Sequence, residues 1–131
     1  MNPTRWQRLE AGVIAAACLA AAIVSGEWPW LFALFLAFDG SMVGYLGGTK
    51  LGAWLYNVIH IYVGPVALGL AFALFGVRWA GILALAWAFH VGVDRALGYG
   101  LKHDDAFAHT HLGWIGRRRR GEGSSGAPER A

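Results

Sequence analysis

Asp39, His60 and His90 lie deep within three separate apolar stretches, with Asn57 three residues before the first histidine and Asp94 four residues after the second. An ionisable side chain at that depth costs roughly 2.5–3.5 kcal/mol to insert, so it persists when it is partnered, faces a cavity or is used. Histidine changes charge near neutral pH, and a carboxylate bonded to an imidazole fixes its tautomer and raises its basicity. That pairing suits general acid–base catalysis, and it equally suits a proton carrier or a metal ligand. Helical spacing puts His90 and Asp94 on one side of a helix, and Asn57 and His60 on one side of another. Asp39, His60, His90 and Asp94 offer the oxygen and nitrogen donors that zinc or iron accepts, although no HExxH or clustered HxxxH box is present. His109 and His111 alternate, so on a helix they diverge, and only an extended tail puts both on one side. Ser41 lies two residues from Asp39 without a nucleophile elbow around it. Cys18 is alone, which excludes an intrachain disulfide and a thiolate cluster and leaves it a small apolar helix residue.

What must position these groups is legible in composition. Of 131 residues, 56% are hydrophobic and 15% charged, and the mean hydropathy is +0.44, too apolar for an ordinary soluble domain. Four stretches, about 9–26, 29–48, 51–76 and 79–100, have the roughly twenty residues that cross a bilayer core. Short breaks at Ser25-Gly26-Glu27, Gly47-Gly48-Thr49-Lys50 and Gly76-Val77-Arg78 force antiparallel neighbours, so the fold class expected is all-α, an integral membrane bundle of four helices. The first stretch follows Arg5 and Arg8 as a signal peptide would, but Trp28-Pro29-Trp30 leads straight into another apolar run, so it reads as a span. Gly40, Gly44 and Gly48 recur every four residues and predict one small face for close helix packing. Pro65 predicts a kink or a freed carbonyl in the third helix. Taking Gly48, Leu51 and Tyr99 as helix ends, Asp39, His60 and His90 each lie nine residues in, about 14 Å at 1.5 Å per residue. They share a layer, with Asn57 and Asp94 about one turn nearer the same end.

Orientation follows from the basic residues. Arg5, Arg8, Lys50, Lys102 and Arg117 to Arg120 fall on one side and only Arg78 on the other, so both termini are expected in the cytoplasm, across a bacterial inner membrane. Trp28, Trp30 and Trp79 then ring the outer interface, Trp6 and Trp54 the inner one, and Trp87 lies deep. Residues 1–116 form the transmembrane domain, with about 101–116 as a segment folding back to cover the site through Thr110 to Trp114. Residues 117–131 form a basic and then disordered tail, in which Arg117, Arg118, Arg119 and Arg120 would touch anionic lipid. The modest net charge of +3 is no nucleic-acid signature, and the partners expected are the lipid bilayer and, in a homo-oligomer, further copies of the chain. Arg95 points away from the His90 and Asp94 face, either snorkelling to the interface or pairing with an acid on a neighbouring helix.

Asp39-Gly-Ser41-Met-Val-Gly44-Tyr45, Tyr56-Asn57-Val-Ile-His60, Pro65, the string His90 to Lys102, and Thr110-His111-Leu112-Gly113 resemble bacterial membrane proteins grouped as domain of unknown function 4260. The resemblance covers about residues 7 to 116, and it implies four membrane helices without bringing a reaction. Arg95, Tyr99, Lys102 and His111 stand as secondary candidates beside the central five, and His103 and His109 fall where the family pattern differs. Three readings stay open: a membrane-embedded acid–base enzyme, with or without a metal, acting on a lipidic or small amphipathic substrate; a proton-coupled carrier or relay; and a polar network that only fixes helix packing.

Overall fold

In the computed structural model the described residues are 1–116. The arginine run and the tail expected after it lie outside them. Four helical spans, Pro3–Ser25, Trp28–Gly47, Thr49–Phe75 and Arg78–Leu97, are long and apolar enough to cross a membrane, and the chain is an all-α bundle of a multi-pass membrane protein. Outward-facing Leu36, Leu46, Leu74 and Phe75 are exposed, whereas the packed interior is built mainly of small residues, Ala15, Ala22 and Ala86, around Leu31 and Phe89. That inversion is what lipid as solvent requires, because apolar burial gives little drive between helices there.

The first and fourth spans are regular. Helix α1 (Pro3–Ser25) starts where the Asn2 side chain accepts from the Arg5 N–H at 3.0 Å and ends at Gly26, whose φ of 77° closes the last turn. It packs along α5 (Arg78–Leu97) through small residues, and a Cβ on Gly92 would stand 2.9 Å from the Ala11 carbonyl oxygen. The start of α1 and the end of α5 meet at one end of this pair, where the Arg8 Nε–H donates to the Ala96 carbonyl at 2.9 Å. At the other end Arg78 pairs with Glu27 at 2.7 Å, and Trp30 meets Trp79 edge to face.

The second and third spans are irregular. After a short α2 (Trp28–Ala33) the second continues as a 3-10 helix from Phe35 to Gly47, far longer than the usual three or four residues of that form. Three residues per turn overturn the expected glycine face, since a step of four then rotates by a third of a turn. Gly40 faces open space and Gly48 lies beyond the helix at φ 115°. Only Gly44 of the three is pressed on α3 (Thr49–Ile59), where an added Cβ would come within 3.3 Å of the Gly52 Cα. The same winding aligns Asp39, Met42 and Tyr45 in one row and Phe35 and Phe38 in another.

The third span, expected as one helix over 51–76 with a kink, is two: α3 ends at Ile59 with His60 as its cap, and α4 (Val63–Phe75) begins after Tyr62, with Pro65 in its first turn. Proline there lacks the N–H that would bond back across the gap. The carbonyls freed at the break are met by side chains, Ile59 by the Trp87 indole N–H and His60 by the Arg95 guanidinium at 3.1 Å. A broken helix survives at this depth because protein encloses it. Past Gly98 the chain doubles back into a small antiparallel hairpin, β1 (His109–Thr110) and β2 (Gly113–Trp114), with Lys102 bridged to Thr110.

Candidate functional site

Two histidines meet at the centre of the bundle. His60 caps α3 at the break, His90 comes from the middle of α5, and their Nε2 atoms are 3.0 Å apart and buried. Asp39 reaches them from the 3-10 helix, with Oδ1 at 3.6 Å from His60 Nε2 and 3.4 Å from His90 Nε2. Asp94, one turn after His90, brings Oδ2 to 3.3 Å from His60 Nε2 and 3.6 Å from His90 Nε2. The four donor atoms all lie within 4.8 Å of one another.

Neighbouring groups hold the donors in place. His60 Nδ1 is 2.8 Å from the Tyr56 carbonyl, an acceptor only, so Nδ1 carries the proton and a neutral ring turns the Nε2 lone pair inward. Tyr56 stacks on the His60 ring at 3.6 Å and donates its hydroxyl to Asp94 Oδ2 at 3.2 Å. Phe35 and Phe38 press on His90 at 4.7 and 5.4 Å, and Trp87 stacks behind Phe38. The wall behind the histidines is therefore dry. In front lies a cavity of about 220 Å³, lined by Asp39, Met42, Tyr56, Asp94, Tyr99, Lys102 and Phe107, at the end of the bundle where the C-terminal segment folds back. A larger groove of about 490 Å³ toward the other end is mostly apolar, and its two charges, Glu27 and Arg78, neutralise each other.

The sequence candidates separate into groups. Asp39, His60, His90 and Asp94 come together, and Tyr99 and Lys102 line the cavity beside them. Asn57 does not join the cluster: its Oδ1 accepts from the Lys102 N–H at 2.6 Å and its Nδ2 donates to the Lys102 carbonyl at 2.8 Å. Arg95 neither snorkels nor forms an ion pair among the described residues; it caps the His60 carbonyl and lies over the Tyr62 ring at 4.9 Å. His111 secures the hairpin through Nδ1, which accepts from the Leu101 N–H at 2.8 Å. Burial, reinforced by the nearby Arg95 charge, lowers the His111 pKa, as that acceptor role requires. His103 and His109 stack at the surface, where Asp105 pairs with His109 at 2.8 Å.

The cover also differs from expectation. Lys102 and Phe107 close the cavity, while Thr110 to Trp114 brace them from behind. Lys102 is buried, which pushes its pKa below the ordinary lysine value although Asp94 and Asp39 pull the other way. Tyr56, Met42 and Phe107 are the residues that reading the sequence missed. Tyr56 was detectable, because four residues before His60 on a helix is the position whose ring lies against the imidazole. Met42 follows only once the 3-10 repeat from Asp39 is known.

No curated protein and no solved structure matches the chain. The family described as "Domain of unknown function (DUF4260)" matches residues 4–115, nearly all of the described chain, and its span includes every residue of the buried cluster and its cover. With its four spans, its broken third helix and its aspartate–histidine centre, this chain belongs to the DUF4260 family.

Proposed function

We propose that this protein is a membrane-embedded enzyme in which a divalent metal ion, zinc or iron, held by Asp39, His60, His90 and Asp94, supports acid–base chemistry on a lipidic or small amphipathic substrate. One observation carries this reading. Four ligands about 2.1 Å from a tetrahedral ion stand about 3.4 Å from one another; five of the six separations run from 3.0 to 3.6 Å, and the sixth, between the two carboxylates, lies within 4.8 Å.

Charge supports the same reading. Two carboxylates, two neutral imidazoles and one divalent ion sum to zero, the least costly total in a medium that solvates charge poorly. Protons balance the acids less well, since two imidazolium rings would turn N–H donors at each other across 3.0 Å. The Tyr56 carbonyl behind His60 and the Tyr56 hydroxyl on Asp94 are the outer contacts that orient metal ligands. Both aspartates edge the cavity, so a water reaching an ion held there would come from that side, as a fifth ligand or in place of one aspartate. Such an ion would lower the pKa of a bound water toward 7, and Asp39 and Asp94 would be the groups placed to take its proton.

We read both termini as cytoplasmic in a bacterial inner membrane, on the eight basic residues against one, and Arg117 to Arg120 as touching anionic lipid there. The test is elemental analysis of the protein purified in neutral detergent. About one equivalent of zinc or iron is expected, lost in both His60→Gln and His90→Gln while the fold survives. Unchanged metal content in both variants, or none in the wild type after zinc and iron loading, would refute it. A proton relay is the second reading, favoured by the direct contact between the two imidazoles. It expects proton flux into liposomes from metal-free protein.

A further inference from the structure

Lys102 is held with unusual care for a residue outside the helices. The Asn57 amide takes both its backbone N–H and its carbonyl, Thr110 bridges it from the hairpin, and the next residue, His103, donates its N–H to the His109 carbonyl. The side chain so held is only 6% exposed, yet Nζ makes no hydrogen bond and no ion pair among the described residues. It rests on the Phe107 ring at 3.9 Å and near the Tyr56 ring at 5.0 Å, contacts that favour a cation without filling its three donor positions. Unlike the Tyr45 and Tyr62 hydroxyls, Nζ is not sealed off but opens on the cavity, where a fixed ammonium with free donor positions points to an acceptor that arrives from outside.

We infer that Lys102 is the headgroup-binding residue of this site, and that the substrate is a single-chain amphipath with a monoanionic oxygen head, a carboxylate or a phosphate ester. The inference rests on the metal reading of the cluster for its charge. With a divalent ion neutralising Asp39 and Asp94, Lys102 leaves the cavity with one net positive charge, which a monoanion cancels. The head then lies between the Lys102 ammonium and the aspartate edge of the cluster. Met42, Phe107 and Tyr99 supply apolar and aromatic wall for the first methylenes. A volume of about 220 Å³ admits a head and a short length of one chain, so the rest of the tail stays in the surrounding lipid.

The experiment is calorimetric titration of zinc-loaded full-length protein in a neutral maltoside detergent with dodecanoate, dodecyl phosphate, dodecanol and dodecyltrimethylammonium, and with acetate and inorganic phosphate. Dodecanoate or dodecyl phosphate should bind, and dodecanol and the ammonium should not. Lys102→Met should weaken that binding about ten-fold or more, and Lys102→Arg should keep most of it, with metal content and melting temperature unchanged in both. Equal affinity for dodecanoate and dodecanol, or full affinity in a folded Lys102→Met, would overturn the headgroup role. Acetate or phosphate binding as tightly as the chain-bearing ligands would overturn the amphipath and leave a soluble anion in its place. Binding that depends on Lys102 in protein that retains no zinc would sink the metal reading, and the charge sum with it, while keeping Lys102 as the headgroup residue.

Discussion

The first and fourth spans differ from the second and third in how their backbones are satisfied. Along α1 and α5 the hydrogen bonds run inside each helix, small residues bring the pair together, and side chains are what they offer until the end of α5, where the Ala96 carbonyl takes Arg8. Across the 3-10 helix and the break between α3 and α4, backbone groups themselves become partners, and three of the site's key residues, Asp39, Tyr56 and His60, come from that half. His90 and Asp94 are the contribution of the regular half. A membrane protein must satisfy every backbone group within itself. Irregularity is therefore concentrated where other residues can complete it, and that is also where functional groups can be brought in at angles a straight helix does not allow.

If the regular pair is scaffold and the irregular pair is site, substitutions should divide accordingly. The largest effect expected is at Gly92, where even a Cβ meets the backbone of α1; Gly92→Ala should cost about 2–3 kcal/mol in thermal melts, by overpacking. Gly40→Ala, with nothing within 4 Å, should cost under about 0.5 kcal/mol. Equal losses at the two glycines would erase the distinction. Trp87→Phe should come next, at about 1–3 kcal/mol, because the Ile59 carbonyl at the break loses its donor inside the protein.

Tyr56→Phe sharpens the comparison from the site side. Removing the hydroxyl that orients Asp94 should lower metal affinity about 10- to 100-fold, read by competition with a chelator, while the melting temperature changes little. A full loss of fold would mean that Tyr56 is scaffold after all. The smallest effect belongs to His111. Its folded pKa lies below the ordinary 6.5, so the unfolded state takes up protons first, and the hairpin should lose stability as pH falls through that value. Amide exchange of Leu101 between pH 8 and pH 5 should report it, and faster exchange at the alkaline end, after correction for intrinsic rates, would contradict the sign.

The regular half and the depth of the site were readable from sequence because both rest on rules that hold for any apolar helix. Counting residues put Asp39, His60 and His90 in one layer, and the structure brings them together with Asp94. What went astray depended on assuming 3.6 residues per turn. Gly40 and Gly48 were assigned to a face that a 3-10 helix does not have. Asn57 was grouped with His60 by spacing, but the chain's return over the end of the bundle offers its amide the Lys102 backbone instead. Arg95 was expected to seek an acid or the interface; the carbonyl it meets exists only because the third helix breaks. Periodicity can place a side chain on a helix, but it cannot announce where the helix stops.

The long 3-10 segment also sets a rule of phase. Each residue there advances about 120° rather than the 100° of α winding. Over the eight steps from Asp39 to Gly47 the two windings drift apart by about 160°. A change of winding in that stretch would swing the carboxylate to the opposite side of the helix without altering one residue of the centre. Length obeys the same arithmetic: one residue added between Asp39 and Gly47 rotates the aspartate by a third of a turn, and three added residues bring it back into register. Insertions tolerated in this stretch should accordingly come in threes.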